Sequence, residues 1–384
     1  MTARKAGFAT RSIHVGNEPD PSTGAVAPPI FATSTYRQKE LGKTKGYDYS
    51  RAGNPTRARL EENLASLEGG VAARVFSSGM AAVSALSSLM NAGEHLVASD
   101  NLYGGVPRLF NQILANLGLK FTYTDTRDPH SVAKAIRKNT RFVYVETPTN
   151  PLMGLTDIAA VSEIAHKSGC QVVVDNTFMS PYFQQPLRLG ADMVLHSTTK
   201  FLNGHSDGIG GVLVCSTVQQ AERLAFVQKA VGAILSPFEC WLVLRGVKTL
   251  SVRMRQHDQS GRKIADYLSH HRMVKKVFYP GLKTHPQYEL ACRQMSGFGA
   301  LITFETGSLA NAKKFLKRVR VCTLGESLGG VETLISHPAT MTHVAIGEKG
   351  RKAIGLSDGM VRISVGIEDV EDLIDDLDQA LAGV

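Results

Sequence analysis

From residue 141 onward, short apolar runs alternate with an amphipathic segment, and this alternation restricts the chain to a layered α/β architecture built on a mainly parallel sheet. RFVYVE (141–146) reads as a buried strand. The following DIAAVSEIAHKSG has apolar residues at helical spacing, with Asp157 at its start and Gly169 at its end as start and stop signals. QVVVD (171–175) is the next strand, and ADMVLHS (191–197) and GGVLVCS (210–216) repeat the strand pattern. Residues 55–248 are therefore expected to form one α/β domain that binds ligands at the carboxyl ends of its strands.

Beyond about residue 250 the pattern changes. A helix through RMRQHDQSGRKIADYLSHH precedes KKVFYP and GALITFE, then helical AKKFLKRV, the strand-like VRISVGIED and an acidic helix, VEDLIDDLDQALA. This predicts a smaller α+β domain over 249–384. Residues 1–54, rich in Pro, Gly and Thr, read as an extended arm that docks elsewhere. The uncharged stretch Val75 to Gly93 is as long as a membrane span, but its five serines and two glycines mark a buried loop and helix instead.

Composition removes several function classes. A 43% hydrophobic content over 384 residues supports a large buried core, and the glycines and prolines follow no short period. The net charge of +9 comes from Lys and Arg scattered among acids, with no aromatic-rich basic run of the kind that tracks a nucleic-acid backbone. Cys170, Cys215, Cys240, Cys292 and Cys322 are odd in number and lack CxxC or Cys/His spacing, which predicts a reducing, cytosolic setting and no metal site. The start MTARKAGFATRS has no apolar core of a secretory signal.

The chemistry is expected around Lys200, which directly follows a buried strand in the polar turn STTK. Ser197, Thr199 and the turn's backbone amides can donate to an anion, and a lysine desolvated there becomes a neutral nucleophile. An exposed strand-end lysine is the plain alternative. Asp175 ends four buried-strand positions, where a carboxylate needs a positive partner or several donors. It either caps the next turn through Thr177 or holds the ring nitrogen of a pyridine cofactor protonated. Ser-Ser-Gly before an alanine-rich helix places Gly79 at an anion-binding helix start. Tyr103, in NLYGG, is either a ring that lies flat on a planar cofactor or a packed core tyrosine.

A rival chemistry is spelled by Ser197-Thr198-Thr199-Lys200, which matches the S-x-x-K of penicillin-binding enzymes, and by Ser99-Asp100-Asn101, which matches their S-D-N. K-T-G is absent, S-D-N comes first rather than second, and the predicted fold is the wrong one. No dinucleotide, P-loop or HExxH motif is present.

Taken together, YDYSRAGNPTR, SSGMAA, ETPTNP, VVVDNTFMSPYF, STTKFLNGHSD, ESLGGVETLISHPATMTH and RISVGIED resemble, in collinear order, the Cys/Met-metabolism family of pyridoxal phosphate (PLP) enzymes. The resemblance implies a fold-type I PLP enzyme of the aspartate-aminotransferase-like fold, assembled as a homotetramer from two dimers with shared active sites. It implies that Lys200 carries PLP as a Schiff base and Asp175 pairs with the pyridine nitrogen. Gly79, Met80, Ser197 and Thr199 would hold the phosphate, with Thr177 nearby and Tyr103 stacked on the ring. Tyr49 and Arg51 would reach the phosphate of a neighbouring subunit. Arg362 would clamp the substrate carboxylate, assisted by Asn150 and Ser327, while Glu326 and Asp48 would read a distal ammonium. The implied reaction is α,γ-elimination of cystathionine, with Lys200 as base and Tyr103 as acid. γ-Replacement on an activated homoserine ester comes next, then β-elimination, and an inactive PLP-binding scaffold is the non-enzyme alternative.

Overall fold

A computed structural model describes residues 6–344 and 347–384, so the start of the predicted arm, residues 1–5, lies outside the described residues. Seven strands form the larger sheet: β1 (Ala72–Phe76), β2 (His95–Ser99), β3 (Lys120–Thr124), β4 (Thr140–Glu146), β5 (Gln171–Asp175), β6 (Met193–Ser197) and β7 (Gly211–Cys215). Their order is β1-β7-β6-β5-β4-β2-β3. The β3-β2-β4-β5-β6 stretch is parallel, and its interior strands are apolar runs because helices cover both faces. β7 runs antiparallel to both β6 and β1. The physical reason is the connection: a loop rather than a crossover helix joins Ser197 to Gly211, and a parallel return needs a crossover.

The smaller sheet holds β8 (Lys276–Phe278), β9 (Leu301–Glu305), β10 (Thr323–Leu324), β11 (Leu334–Ser336) and β12 (Met360–Ser364), in the order β10-β11-β12-β9-β8. It is antiparallel apart from the β10-β11 pair. The amphipathic helices Leu250–His270 and Val370–Leu381 pack beside it, as the acidic and basic helical stretches predict. One apolar cluster runs from Phe201, Leu202 and Val243 to Phe304, Ile363 and Leu377, joining the two sheets through a shared core. Thr303 on β9 donates to the carbonyl of Pro151 at 2.7 Å, a polar tie across the same boundary.

Two local expectations change. The arm is not extended throughout, because Phe8–His14 is helical. That segment contains neither Pro nor Gly, lying between Gly7 and Gly16, and Asn63 of the helix Pro55–Glu68 donates to the carbonyl of Val15 at 2.8 Å to fix its end. The uncharged stretch from Val75 also begins as strand, its first two residues closing β1, before the helix Gly79–Ser87. No helix among the described residues is long and apolar enough to cross a membrane.

Candidate active site

Strand alternation builds the floor of the site. Phe142 and Tyr144 on β4, Val173 on β5 and Leu195 on β6 belong to one buried cluster with Ala82, Val83 and Leu86 of the helix Gly79–Ser87. Each next residue on that face is polar: Glu146, Asp175 and Ser197 end their strands at the carboxyl edge of the sheet. Glu146 is the ladder partner of Asp175, so two carboxyls stand side by side. These groups line a cavity of about 370 Å³ together with Ser78, Gly79, Met80, Tyr103, Asn150, Thr177, Thr199, Lys200, Glu326, Ser327, Thr342 and Arg362.

Lys200 leaves β6 in a tight turn, its amide donating to the Ser197 carbonyl at 3.3 Å. The turn is locked from beneath by buried Arg253, which donates to the carbonyls of Phe201 (2.7 Å), Leu202 (3.4 Å) and Gly246 (2.8 Å). The lysine amine donates to Ser327 Oγ at 2.6 Å. Burial, helped by the Arg362 charge and opposed by Glu326, pulls the amine down to about 8. This disposes of the S-x-x-K alternative: the lysine pairs with Ser327 and not Ser197, and Ser99 of the S-D-N match is buried against Thr126 at 2.9 Å.

Asp175 takes the first of its sequence readings, the turn cap. Thr177 caps it through hydroxyl (2.5 Å) and amide (3.1 Å) bonds to Oδ1, while the Tyr144 hydroxyl donates to Oδ2 at 3.2 Å. Burial raises its pKa and those donors oppose the rise. A positively charged ring nitrogen in the cavity would meet this need for a partner.

The helix Gly79–Ser87 supplies an anion cradle. Ser78 caps it, accepting from the Ala81 amide at 3.0 Å, and its carbonyl takes the Ala82 amide at 3.1 Å. The amides of Gly79 and Met80 have no partner among the described residues, so they remain free at the positive end of the helix. A Cβ on Gly79 would stand 3.1 Å from Ser197 Cβ, filling the cradle. Gly211 passes beneath the same turn, where a Cβ would lie 2.7 Å from Gly79 Cα. Thr199 completes the rim, its hydroxyl accepting from the Gly210 amide at 3.1 Å.

Arg362 projects from β12 into the opposite wall, 3% exposed. It donates to Asn150 Oδ1 at 3.0 Å and to the Ser327 carbonyl at 2.8 Å, and its buried Nε has no partner among the described residues. Burial lowers its pKa to about 10, and Glu326 and Glu146 oppose that shift. A held guanidinium with an open buried donor is suited to a carboxylate. The lysine, the half-buried acid at the end of β5, the amide cradle and this clamp fit PLP with a bound amino acid. Among the described residues no cluster of three or more His, Cys, Asp or Glu side chains can hold a metal ion.

The model of the Cys/Met metabolism PLP-dependent enzyme family matches residues 9–382. The chain belongs to that family. It is 49% identical to a cystathionine γ-lyase of Bacillus subtilis (strain 168), covering 98% of this chain and 99% of the relative. A cystathionine γ-synthase of Mycobacterium bovis is 47% identical over 98% and 97% of the two chains, and relatives named cystathionine β-lyase are as similar. The crystal structure of a cystathionine γ-lyase from Lactobacillus plantarum complexed with L-serine superposes with a TM-score of 0.97 at 45% identity, covering 99% of both chains. The fold is thus that of the family's PLP enzymes, and PLP is the cofactor.

Two groups of residues stand apart from those described above: one that the sequence reading assigned to a neighbouring subunit's site, and one that it passed over. Asp48, Tyr49 and Arg51 do not line the cavity of their own chain; Tyr49 is 46% exposed and Arg51 donates to the Lys229 carbonyl at 2.6 Å. Glu146, Tyr144, Ser78 and Thr342 were not singled out, although FVYVE carries the same apolar-to-acid ending as VVVD and was a usable signal for Glu146.

Proposed function

We propose that this PLP enzyme is a cystathionine γ-lyase, converting L-cystathionine and water into L-cysteine, 2-oxobutanoate and ammonia. The observation that carries the reading is Glu326, which lines the same cavity as Lys200 and Arg362. Cystathionine has an amino-acid group at each end, and a wall bearing both an arginine and a carboxylate suits its α-carboxylate and its distal ammonium. The overall likeness to a relative named γ-lyase and the arm segment IHVGNEPDPSTGAVAPPI support the lyase over the synthase, whereas ISHPATMTH resembles the γ-synthases.

In this reading Gly79, Met80, Ser197 and Thr199 hold the cofactor phosphate, Thr177 and Asp175 secure the ring side, and Tyr103 covers the ring. Asp48, Tyr49 and Arg51 complete the cavity of a second copy within a homotetramer. When bound, PLP supplies an electron sink for the pair left on the substrate Cα. Arg362, steadied by Asn150 and the Ser327 carbonyl, clamps the α-carboxylate so that the Cα–H bond faces Lys200. The neutral amine of Lys200 takes that proton, and Ser327 Oγ keeps the amine aimed between transfers. The departing sulfur receives its proton from the side of Tyr103. Four of the five cysteines are buried and all are free, which suits a reducing, cytosolic setting.

The test is the product set from purified enzyme. 2-Oxobutanoate from cystathionine supports the γ-lyase. Cystathionine made from cysteine and an activated homoserine ester, without 2-oxobutanoate, would replace it by the γ-synthase, and pyruvate by the β-lyase. Lys200→Ala should lose the mass gain that borohydride reduction fixes on the wild type.

A further inference from the structure

Glu146 is 5% exposed and belongs to no step above, yet both of its oxygens are engaged. Oε2 accepts from the Tyr103 amide at 2.8 Å, and Oε1 accepts from the Asn150 amide at 3.2 Å. Asn150 in turn presents its Oδ1 to Arg362 at 3.0 Å. One side chain at the end of β4 therefore reaches the backbone that carries the Tyr103 ring and the residue that orients the carboxylate clamp.

We propose that Glu146 is a positioning residue that ties the aromatic wall of the cavity to the Arg362 clamp, so that the two are set together. Both partners are backbone N–H groups, which donate and cannot accept. Only a side chain with two acceptor oxygens serves both at once; a glutamine offers one acceptor and turns an NH₂ toward the other donor. A carboxyl is costly in this place. Burial and the neighbouring Asp175 push its pKa up, against the two backbone donors and Arg362. A plain turn cap would require one acceptor and no second acid beside Asp175.

The proposal rests on the PLP site and the Arg362 clamp, and not on which cystathionine reaction is run. The probe is glycine, which has the amine and carboxylate but no leaving group, titrated into holoenzyme and followed by the visible cofactor band. Glu146→Gln keeps the shape and loses one acceptor. Glu146→Asp keeps the carboxyl and both of its oxygens but is one methylene too short to reach both donors. Each should weaken glycine by roughly tenfold and shift the resting cofactor band through Tyr103. Asn150→Ala should weaken glycine with the resting band unmoved. Combined with Glu146→Gln it should add no more than about twofold, because both act through Arg362. Glycine affinities within about twofold of wild type in both Glu146 variants, or effects of Glu146→Gln and Asn150→Ala that multiply, would overturn the proposal. If Glu146→Gln does not fold, the same cycle is run with Glu146→Asp. A wild-type holoenzyme blind to glycine would sink the clamp reading itself, whereas a responsive wild type with unchanged variants sinks only the role of Glu146.

Discussion

Ser327 faces two ways: its hydroxyl accepts from the Lys200 amine at 2.6 Å, and its carbonyl accepts from Arg362 at 2.8 Å. It does so at φ 119°, a backbone region that favours glycine, so the residue is held there by its surroundings. Ser327→Ala removes only the hydroxyl arm and leaves the carbonyl on Arg362. The expected result is a fall in kcat of about tenfold, the worth of one hydrogen bond to a charged or reacting group, with KM changed by less than about twofold. Steady-state 2-oxobutanoate release reads both parameters.

The amine of Lys200 titrates at about 8 rather than at lysine's 10.5. Below the lower value it is protonated and unreactive, and above it the nucleophile is fully available. Covalent capture of PLP by cofactor-free protein should therefore speed up about tenfold per pH unit through the acid side and level off above about pH 8. Stopped-flow absorbance of the visible band follows it; a rate still climbing near pH 10 would mean that the cavity does not depress the amine.

Glu326→Gln keeps the size of the side chain and removes its charge. If that charge meets the distal ammonium, KM for cystathionine rises roughly tenfold while kcat changes little. Turnover of cysteine, which has no second amino group, stays within about twofold. Equal losses on both substrates would assign Glu326 to the architecture of the wall.

Arg253→Ala leaves the carbonyls of Phe201, Leu202 and Gly246 without their donor inside the core. Losing a buried charged donor to several acceptors costs about 3 kcal/mol. Thermal denaturation of the holoenzyme should show a midpoint several degrees lower. An unchanged midpoint would mean that those carbonyls find other partners.

Much of the site was legible because strand periodicity carries it. The runs ending in Asp175 and Ser197 fix which face is apolar and where it becomes polar, and Lys200 follows by position. The same ending marks Glu146, which the sequence reading passed over; an acid ending a strand signals no more than a turn cap until its second acceptor contact is seen. Arg362 was accessible only through resemblance, since it arrives from the other sheet, 212 residues from the Asn150 it bonds. The direction of β7 depended on the loop length before it, and the short helix Phe8–His14 on docking against Pro55–Glu68, neither of which a local pattern encodes.

The division of labour between the sheets has a consequence for synthesis. The amide cradle at Gly79, the acid Asp175 and the amine Lys200 are all made before the chain reaches its second sheet, whereas Arg362 lies on β12, the last strand to leave the ribosome. A growing chain thus carries these three groups before it carries the guanidinium that faces them across the cavity.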